Sequence, residues 1–417
     1  MELFVGILLT HSPLVSYALA IAVLGGIGAL LAIIMAIADA TIANYGECEI
    51  NMGEERKPLK VRGGSHLLSY LFSNKIFVPS ACGGQGTCGY CKLKVLDGGG
   101  PVLPTEEGFL NKKEIRDNWR LACQVKVKRD VRIFIPEEYF AIQAFRAKVI
   151  SNRNVASYIK ETVLELLEPR QIKFKAGQYI QFHIPKFKCG FRDFTVEPQY
   201  QDAYKPFLQL TAVSKDPVIY RAYSMANAPY ESGKVILNVR IATPPRGTKY
   251  QPGLGSSYIF NLKPGDEVEI SGPYGEFLIK ETDNEMLYLG GGAGMAPMRS
   301  HLFYLLNEKK SSRKITYWYG ARSVREMFYH EEFTELTRTC PNFTYTVALS
   351  EKQPGDVWTG PEGFIHDICD RLYLSKHPDP KKIEYYLCGP PMMIDAVLAM
   401  LKKKYHVSDK MIAFDKF

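Results

Sequence analysis

The sequence predicts a multidomain chain in which an N-terminal transmembrane helix precedes a small β-domain, an antiparallel β-barrel and an α/β domain with a doubly wound parallel sheet. Three patterns predict this order: an uncharged amino-terminal segment, a group of cysteines set among glycines, and a glycine-rich turn after an apolar strand. The 417 residues, 46% hydrophobic and 23% charged, suffice for several buried cores and exclude a disordered or fibrous chain. We place the domains at residues 1–40, 41–136, 141–280 and 281–417.

The amino-terminal segment has no charged residue from Leu3 to Ala38. A helix that crosses the hydrocarbon layer needs about 20 apolar residues, so the segment is long enough even when the helix begins after Pro13. A cleaved signal peptide is the alternative, but the segment lacks a basic flank and a clear cleavage site. We therefore expect an uncleaved, single-pass anchor. Basic residues follow it from Arg56 onward, which by the positive-inside rule places the remaining domains in the cytoplasm.

Four cysteines have the spacing of an iron-sulfur site. Cys82, Cys88 and Cys91 share one loop in the pattern C-x5-C-x2-C, and Cys123 lies further along the chain. A [2Fe-2S] cluster needs four thiolates, and the loop glycines supply positive φ angles and bare N–H groups that face sulfur. A zinc site or unligated thiols are the alternatives. The spacing resembles that of adrenodoxin-type ferredoxins. Four other cysteines show no ligand spacing, and we expect them to be packed or free thiols: Cys48, Cys189, Cys340 and Cys369.

The cysteine loop lies among short segments of alternating hydrophobicity. Residues 93–96, 124–127 and 131–135 show this alternation and predict strands, which fits a β-grasp domain. The formal charge of the whole chain is +8, and its densest basic run is Lys402 to Lys404. So mild a charge, without a basic block, predicts no binding to nucleic acid.

Three motifs follow one another in the middle of the chain. Arg221-Ala-Tyr-Ser224 precedes Gly253-Leu-Gly-Ser-Ser257 and Gly272-Pro-Tyr-Gly-Glu-Phe277. The Gly-Ser-Ser run can place N–H groups and hydroxyls around a pyrophosphate at the start of a helix. In this order the motifs resemble the FAD-binding barrel of the ferredoxin-NADP reductase family.

That resemblance implies a role for each motif. Arg221 would neutralise the FAD phosphates, Tyr223 would pack on the flavin ring, and Ser224 would form a hydrogen bond near flavin N5. The predicted pyrophosphate contacts are Gly255, Ser256 and Ser257. A long segment, 185–219, interrupts the barrel and carries six aromatic residues, so it is interpreted either as a docking surface or as ordinary packing against the barrel.

The last third of the chain has the pattern of a nucleotide-binding domain. An apolar strand begins at Met286 and runs into a glycine-rich turn, which is typical of a pyrophosphate held at a helix amino terminus. Another strand ends at Cys388-Gly389-Pro390. Ligands bind beyond the carboxyl ends of such strands. The predicted nucleotide contacts in these two loops are Gly290, Gly291, Gly292, Gly294, Cys388, Gly389 and Pro390.

Two further assignments in this region rest on the same family. The matching cysteine of the reductases lies beside the nicotinamide, so Cys388 joins Tyr223 and Ser224 as a predicted catalytic residue. A terminal aromatic, Phe417, either caps the flavin ring or belongs to a frayed tail. Arg322 and Arg325 follow the second strand, where NADPH enzymes carry basic residues, yet we expect NADH from the resemblance described next.

Together, the anchor, ferredoxin, FAD barrel and nicotinamide domain resemble the F subunits of sodium-translocating NADH:quinone reductases over the whole chain. The resemblance implies NADH oxidation, a hydride passed to FAD, and single electrons sent through the [2Fe-2S] cluster toward ubiquinone, with Na⁺ export by the complete complex. It also implies other membrane subunits as partners and a place in the bacterial inner membrane. Reductases of multicomponent oxygenases and a non-enzymatic redox sensor or assembly subunit are the alternatives.

Overall fold

The computed structural model describes residues 13–41, 45–53, 56–245, 247–248 and 250–416. These residues form two units. The first unit contains the chain up to residue 74 together with residues 91–136, and the second contains residues 75–90 and everything from residue 137 onward. The second unit thus holds the barrel, the parallel sheet and the segment that carries Cys82 and Cys88, so the predicted domain boundaries inside it stay predictions.

The first unit begins with helix α1, Pro13–Thr41. Its stretch Tyr17–Met35 has a mean hydropathy of 2.6 and is exposed along its length. Among the described residues, this is the one helix long and apolar enough to cross a membrane. The predicted apolar amino-terminal helix is therefore present.

The rest of the first unit is a five-stranded sheet with short helices. Its elements are β1 Glu47–Asn51, β2 Leu59–Arg62, α2 Leu67–Ser73, β3 Lys92–Asp97, α3 Pro104–Glu107, α4 Lys112–Arg116, β4 Trp119–Leu121 and β5 Val131–Phe134. The strand order is β2-β1-β5-β3-β4, with β1 and β5 parallel and the other neighbours antiparallel. Helix α2 buries one apolar face, as the β-grasp prediction requires.

The predicted strand at 124–127 is wrong. Val125 and Val127 are buried as the alternation predicts, but their backbone groups bond to the turn that precedes α2. Val127 N donates to Ser65 O, and Val125 O accepts from Leu67 N. The pairing is a single antiparallel bridge between Lys126 and His66, because α2 begins at Leu67 and ends the ladder there.

A buried ion pair supports strand β4. Glu106 accepts hydrogen bonds from the Arg120 guanidinium at 2.6 Å and from Leu121 N at 2.9 Å, and both charged side chains are at most 5% exposed. Burial raises the pKa of Glu106, but hydrogen bonds from Arg120 and from two backbone N–H groups outweigh it and lower that pKa. The stabilisation from Glu106 is therefore complete above its ordinary value of 4.5 and is lost as the pH falls through the lower native value.

We expect Glu106→Gln to destabilise the first unit by about 3 kcal/mol, because it leaves the Arg120 charge buried without its partner. Amide hydrogen exchange of residues 92–134 in the full-length protein measures the effect. The exposed neighbour provides the control, since Glu107→Gln should change exchange little. Equal protection in the two variants would contradict the prediction.

The second unit contains an antiparallel barrel of six strands. Its elements are β6 Gln143–Ala156, β7 Ile159–Glu168, β8 Tyr179–Gly190, α5 Gln201–Tyr204, β9 Thr211–Ser224, β10 Lys234–Arg240, α6 Leu254–Asn261 and β11 Glu267–Tyr274. The order is β10-β7-β6-β11-β8-β9, and a bridge between Met225 and Leu237 joins the two outer strands. On β8, Ile180, Phe182 and Ile184 enter the barrel core.

Segment 185–219 interrupts the barrel less than predicted, because its two ends continue β8 and β9 and pair with each other, while residues 191–210 between them pack against the barrel. Phe191, Phe194 and Tyr204 belong to the barrel core, and Phe187 and Phe207 pack against it while partly buried. These rings therefore form ordinary packing and not a docking surface. The segment also reaches the parallel-sheet region, where Arg325 donates two hydrogen bonds to the Asp202 carboxylate at 2.9 and 3.0 Å.

The remainder of the second unit is a parallel sheet with helices on both faces. Its elements are β12 Met286–Gly291, α7 Met295–Phe303, β13 Ile315–Ala321, α8 His330–Thr339, β14 Phe343–Leu349, α9 Ile365–Leu372, β15 Glu384–Gly389, α10 Pro391–Ala399 and β16 Ile412–Lys416. The order is β14-β13-β12-β15-β16. Tyr288 of β12 faces α7 and α8, whereas Leu287 and Leu289 face α9 and α10. This is the doubly wound sheet that the sequence predicts.

Candidate functional site

The second unit contains a cavity of about 1430 Å³ that is open to solvent on one side. Its lining comes from the barrel and the segment just before it, from the cysteine segment, from the start of α7 and from β16. The lining includes Tyr179, Tyr223, Ser224, Asn238, Tyr274, Phe277, Ala81, Thr87, Cys88, Tyr90, Ala293, Ala296, Phe414 and Asp415. The cavity therefore joins residues from sequence positions more than 300 apart, among them two predicted flavin contacts.

Strand β9 and helix α6 bring together the first two predicted flavin motifs. A Cβ atom added to Gly255 would lie 2.7 Å from both Arg221 Cγ and Tyr223 Oη, so α6 approaches β9 as closely as a glycine allows. Phe182 packs edge-on against the Tyr223 ring from the barrel core. Arg221 donates to its neighbour Tyr220 O at 2.7 Å. The predicted phosphate-binding and ring-binding residues thus lie side by side.

The two serines of α6 differ in their hydrogen bonding. Ser256 Oγ accepts from Ala242 N and donates to Gly253 O, both at 3.1 Å. Ser257 is fully buried, and its hydroxyl has no hydrogen-bond partner among the described residues. A buried hydroxyl without a partner costs free energy, and a bound phosphate oxygen would remove that cost. The residues present therefore fit FAD.

Ser224 forms a pair that sequence analysis missed. Its Oγ lies 3.4 Å from Asp415 Oδ2, and both residues line the cavity. Burial, followed by the nearby Asp415 carboxylate, raises the pKa of Cys388 well above its ordinary value. Asp415 reaches this position because β16 pairs with β15, which places it directly opposite Cys388. The rule that ligands bind beyond the carboxyl ends of parallel strands was the one signal that could have found it.

The loops predicted to bind the nucleotide meet at the ends of β12 and β15. A Cβ atom on Gly294 would overlap the Cys388 carbonyl, and Gly389 lies against the backbone of Gly291. Cys388 is fully buried, and Ala293 and Ala296 are the cavity-lining residues of this region. Gly290 and Gly292 belong to the same strand end and turn, Pro390 lies exposed beyond it, and Phe417 lies outside the described residues.

Two of the four predicted iron ligands are close together. Cys82 Sγ and Cys88 Sγ are 3.3 Å apart, and the Cys88 hydrogen bond is the main cause that lowers the pKa of Cys82 to about 3 and raises the pKa of Cys88. The short distance between the two sulfurs is what a shared metal site would need. The loop glycines have the predicted positive φ angles: Gly83, Gly84, Gly86 and Gly89.

The other two predicted ligands are buried in the first unit. Ala122 N donates to Cys91 O at 2.8 Å, and Gln124 Nε2 lies 3.5 Å from Cys123 Sγ. All nine cysteines are free of disulfides. In the part of the chain that the structure describes, no three His, Cys, Asp or Glu side chains stand together as a metal site. The four-cysteine set consequently stays a prediction, although its soft sulfur donors fit a [2Fe-2S] cluster.

Three family models match the chain. They are the 2Fe-2S iron-sulfur cluster binding domain at residues 52–128, the oxidoreductase FAD-binding domain at 199–279 and the oxidoreductase NAD-binding domain at 288–399. They match the three regions that sequence analysis assigned to iron-sulfur, flavin and nicotinamide binding. The predicted cofactors, a [2Fe-2S] cluster and FAD with NADH as substrate, are confirmed.

Curated relatives cover nearly the whole chain. The F subunit of the Na⁺-translocating NADH-quinone reductase of Methylococcus capsulatus is 50% identical over 89% of this chain and 92% of its own length. The protein of the same name from Serratia proteamaculans is 48% identical over 96% of this chain and 98% of its own length. Among solved structures, an Amycolatopsis cytochrome P450 reductase matches with a TM-score of 0.60 at 24% identity, covering 89% of this chain and 98% of its own.

A second solved structure, the ferredoxin reductase in carbazole 1,9a-dioxygenase, matches with a TM-score of 0.57 at 24% identity, over 89% of this chain and 98% of its own. At this identity, the two structures show a shared fold. The similarity to these two structures therefore does not support the alternative of an oxygenase reductase. The relatives that are about half identical to this chain share the name of the quinone reductase F subunit.

Proposed function

The chain belongs to the family of Na⁺-translocating NADH-quinone reductase F subunits, and from this premise we propose how its residues carry out the reaction. It is the NADH-oxidising subunit, an oxidoreductase with iron-sulfur, FAD-binding and NAD-binding domains, and Na⁺ coupling is a property of the whole complex. One observation carries the residue-level proposal: Tyr223, Ser224, Asp415 and Cys88 line a single cavity.

The barrel residues would hold FAD. Arg221 and the amino terminus of α6 neutralise and bind its phosphates, with Gly255 allowing the approach and Ser257 donating its unpaired hydroxyl. Ser256 keeps the turn before α6 in place through its two backbone hydrogen bonds. Tyr223 packs on the flavin ring. When bound, FAD supplies the conversion of a two-electron hydride into single electrons that a [2Fe-2S] cluster can accept.

At the reacting end, Ser224 and Asp415 orient the flavin and the nicotinamide. The Ser224 hydroxyl can donate to flavin N5 from its position 3.4 Å from the Asp415 carboxylate. NADH would lie across the loops after β12 and β15, with its pyrophosphate at Gly290, Gly291, Gly292 and Gly294. The nicotinamide of NADH would be surrounded by Cys388, Gly389 and Pro390. When NADH is not bound, Phe417 would cover the flavin ring.

Four cysteines, Cys82, Cys88, Cys91 and Cys123, would hold the [2Fe-2S] cluster. Helix α1 would anchor the subunit in the inner membrane, with residues 41–136, 141–280 and 281–417 as ferredoxin, FAD and NADH domains in the cytoplasm. Its proposed partners are the other membrane subunits, which pass electrons on to ubiquinone. Arg322 lies 3.9 Å from the Glu351 carboxylate, and Arg325 is paired with Asp202. Because both arginines already face a carboxylate, the site favours NADH over its 2′-phosphorylated form.

A test of the flavin site compares two glycines of the barrel. We expect Gly255→Ala to lower the affinity for FAD by about tenfold or more, because the new methyl group collides with Arg221 and Tyr223. The control is Gly233→Ala, whose methyl group would meet nothing closer than 4.0 Å. Titration of the FAD-depleted protein with FAD measures both affinities. Equal affinity in the two variants would mean that α6 does not bind the cofactor.

The complete function is tested by solubilising the full-length protein from membranes. We expect it to purify with other membrane subunits, to show rapid loss of flavin absorbance on mixing with NADH, and to reduce quinone faster when Na⁺ is present. Purification with a hydroxylase would favour the oxygenase alternative. A bound flavin that NADH fails to reduce within seconds would count against an enzyme and favour a redox sensor or assembly subunit.

A further inference from the structure

Two residues on the outer face of strand β8 are buried, although a barrel strand should expose alternate residues. Ile180 and Phe182 point into the barrel core, so Gln181 and His183 point outward. Yet Gln181 is fully buried and His183 is 8% exposed. The two residues lie opposite Ala222 and Tyr220 of β9. Some other part of the second unit must therefore cover this face.

Segment 75–90, which carries Cys82 and Cys88, is that cover. Gln181 Nε2 donates to Ser80 O at 2.9 Å, and Gln181 Oε1 has no partner among the described residues. The Phe77 ring lies 5.8 Å from the His183 ring. Phe77 is 5% exposed and Ser80 is fully buried, so the contact excludes water.

The closest approach occurs at Gly83. A Cβ atom there would overlap Tyr220 O and the Arg221 guanidinium, so only glycine permits the loop to lie on β9 at this point. Gly83 also has a φ of +66°. The contact falls on the same strand that presents Tyr223 and Ser224 to the cavity, and Cys88 lines that cavity with them.

His183 supports the face from the barrel side. Its Nε2 lies 2.9 Å from Ser271 Oγ, its Nδ1 lies 3.6 Å from the Glu269 carboxylate, and the Tyr220 ring packs edge-on at 4.7 Å. These contacts hold β8, β9 and β11 in one arrangement. The same side chains therefore link the surface under the cysteine segment to the barrel.

We propose that the outer face of β8 and β9, formed by Gln181, His183 and Tyr220, is the docking surface that holds the cysteine loop beside the flavin pocket for single-electron transfer. Gln181 is a positioning residue, since it acts through the main chain of Ser80. The inference rests on the proposed function. When FAD and the cluster are bound, each NADH would give its hydride to FAD and leave as NAD⁺, and FAD would be restored by passing two electrons singly to the cluster and releasing one proton.

The test uses Gln181→Met in the full-length protein, which removes the hydrogen-bond donor and nearly keeps the side-chain volume. Rapid mixing with NADH follows flavin reduction and cluster reduction separately. We expect flavin reduction to be unchanged and cluster reduction to slow by about tenfold or more, because electron transfer weakens steeply with distance. Amide hydrogen exchange of residues 76–84, which needs no cofactor, should become faster. Lys186→Met, at an exposed position of β8, is the matched control.

A second variant, Phe77→Leu, removes the ring from the segment side of the same contact and should have the same two effects. Cluster reduction at the unaltered rate in either folded variant would overturn the docking surface. So would an equal slowing of flavin reduction, because the effect would then arise in the barrel itself. If NADH fails to reduce the flavin of the unaltered protein, the proposed function fails instead, and the docking role fails with it.

Discussion

Replacement of Cys82 by alanine is expected to stop electron transfer to quinone and to leave NADH oxidation by a flavin-level artificial acceptor within about twofold of its original rate. The reason is the order of the carriers, because a hydride must reach FAD before single electrons can leave through the cluster. Cys82 lies 3.3 Å from Cys88, and a cluster with three protein thiolates loses the complete ligand set that it requires. Loss of quinone reduction to the background level is the largest effect expected.

The measurement compares the two activities in the purified complex and follows iron content and the absorbance of bound FAD. Cys340→Ala provides the control, since Cys340 is a half-buried free thiol outside the predicted ligand set. Both of its activities should remain. Loss of both activities in a folded Cys82→Ala protein that retains FAD would show that the assigned order of flavin and cluster is wrong.

Replacement of Ser224 by alanine is expected to slow hydride transfer by about a hundredfold. The Ser224 hydroxyl lines the cavity as a hydrogen-bond donor, and it lies next to the Asp415 carboxylate. Its removal should disturb the alignment of nicotinamide and flavin without removing a phosphate contact. FAD affinity should consequently stay close to that of the unaltered protein.

Flavin reduction after rapid mixing with NADH measures this step directly. The control is Ser214→Ala, because Ser214 lies on the same strand, is 4% exposed and has no hydrogen-bond partner among the described residues. That variant should reduce its flavin at the original rate. A Ser224→Ala protein that binds FAD and reduces it at full speed would remove Ser224 from the catalytic machinery.

The overall architecture could be predicted because each domain has a characteristic pattern within a short stretch of sequence. Met286 to Leu289 is an apolar run followed by glycine, and this local pattern indicates a buried parallel strand and its turn. The strand at 124–127 failed for a reason that local patterns do not contain. Its valines alternate correctly, but the backbone bonds go to the turn at 64–67.

The residues of the candidate site likewise include some that the sequence predicted and some that it did not. Tyr223, Ser224 and Gly255 belong to contiguous motifs, so their types and spacings could be recognised. Asp415 does not, because its role depends on the pairing of β16 with β15 opposite Cys388. The aromatic residues of 185–219 left two interpretations open, and burial against the barrel decided between them.

By itself, the sequence determined the cofactors, the order of the domains and the apolar amino-terminal helix, because thiolate spacing, glycine turns and uncharged runs are properties of contiguous residues. Only the tertiary structure decided which side chains share the cavity and what covers the barrel. Gln181 illustrates the reason: alternation predicts that it faces outward, and nothing near it in sequence says that Ser80, 101 residues earlier, will bury it. Contacts between distant segments depend on the packing of whole elements, and local sequence does not encode them one residue at a time.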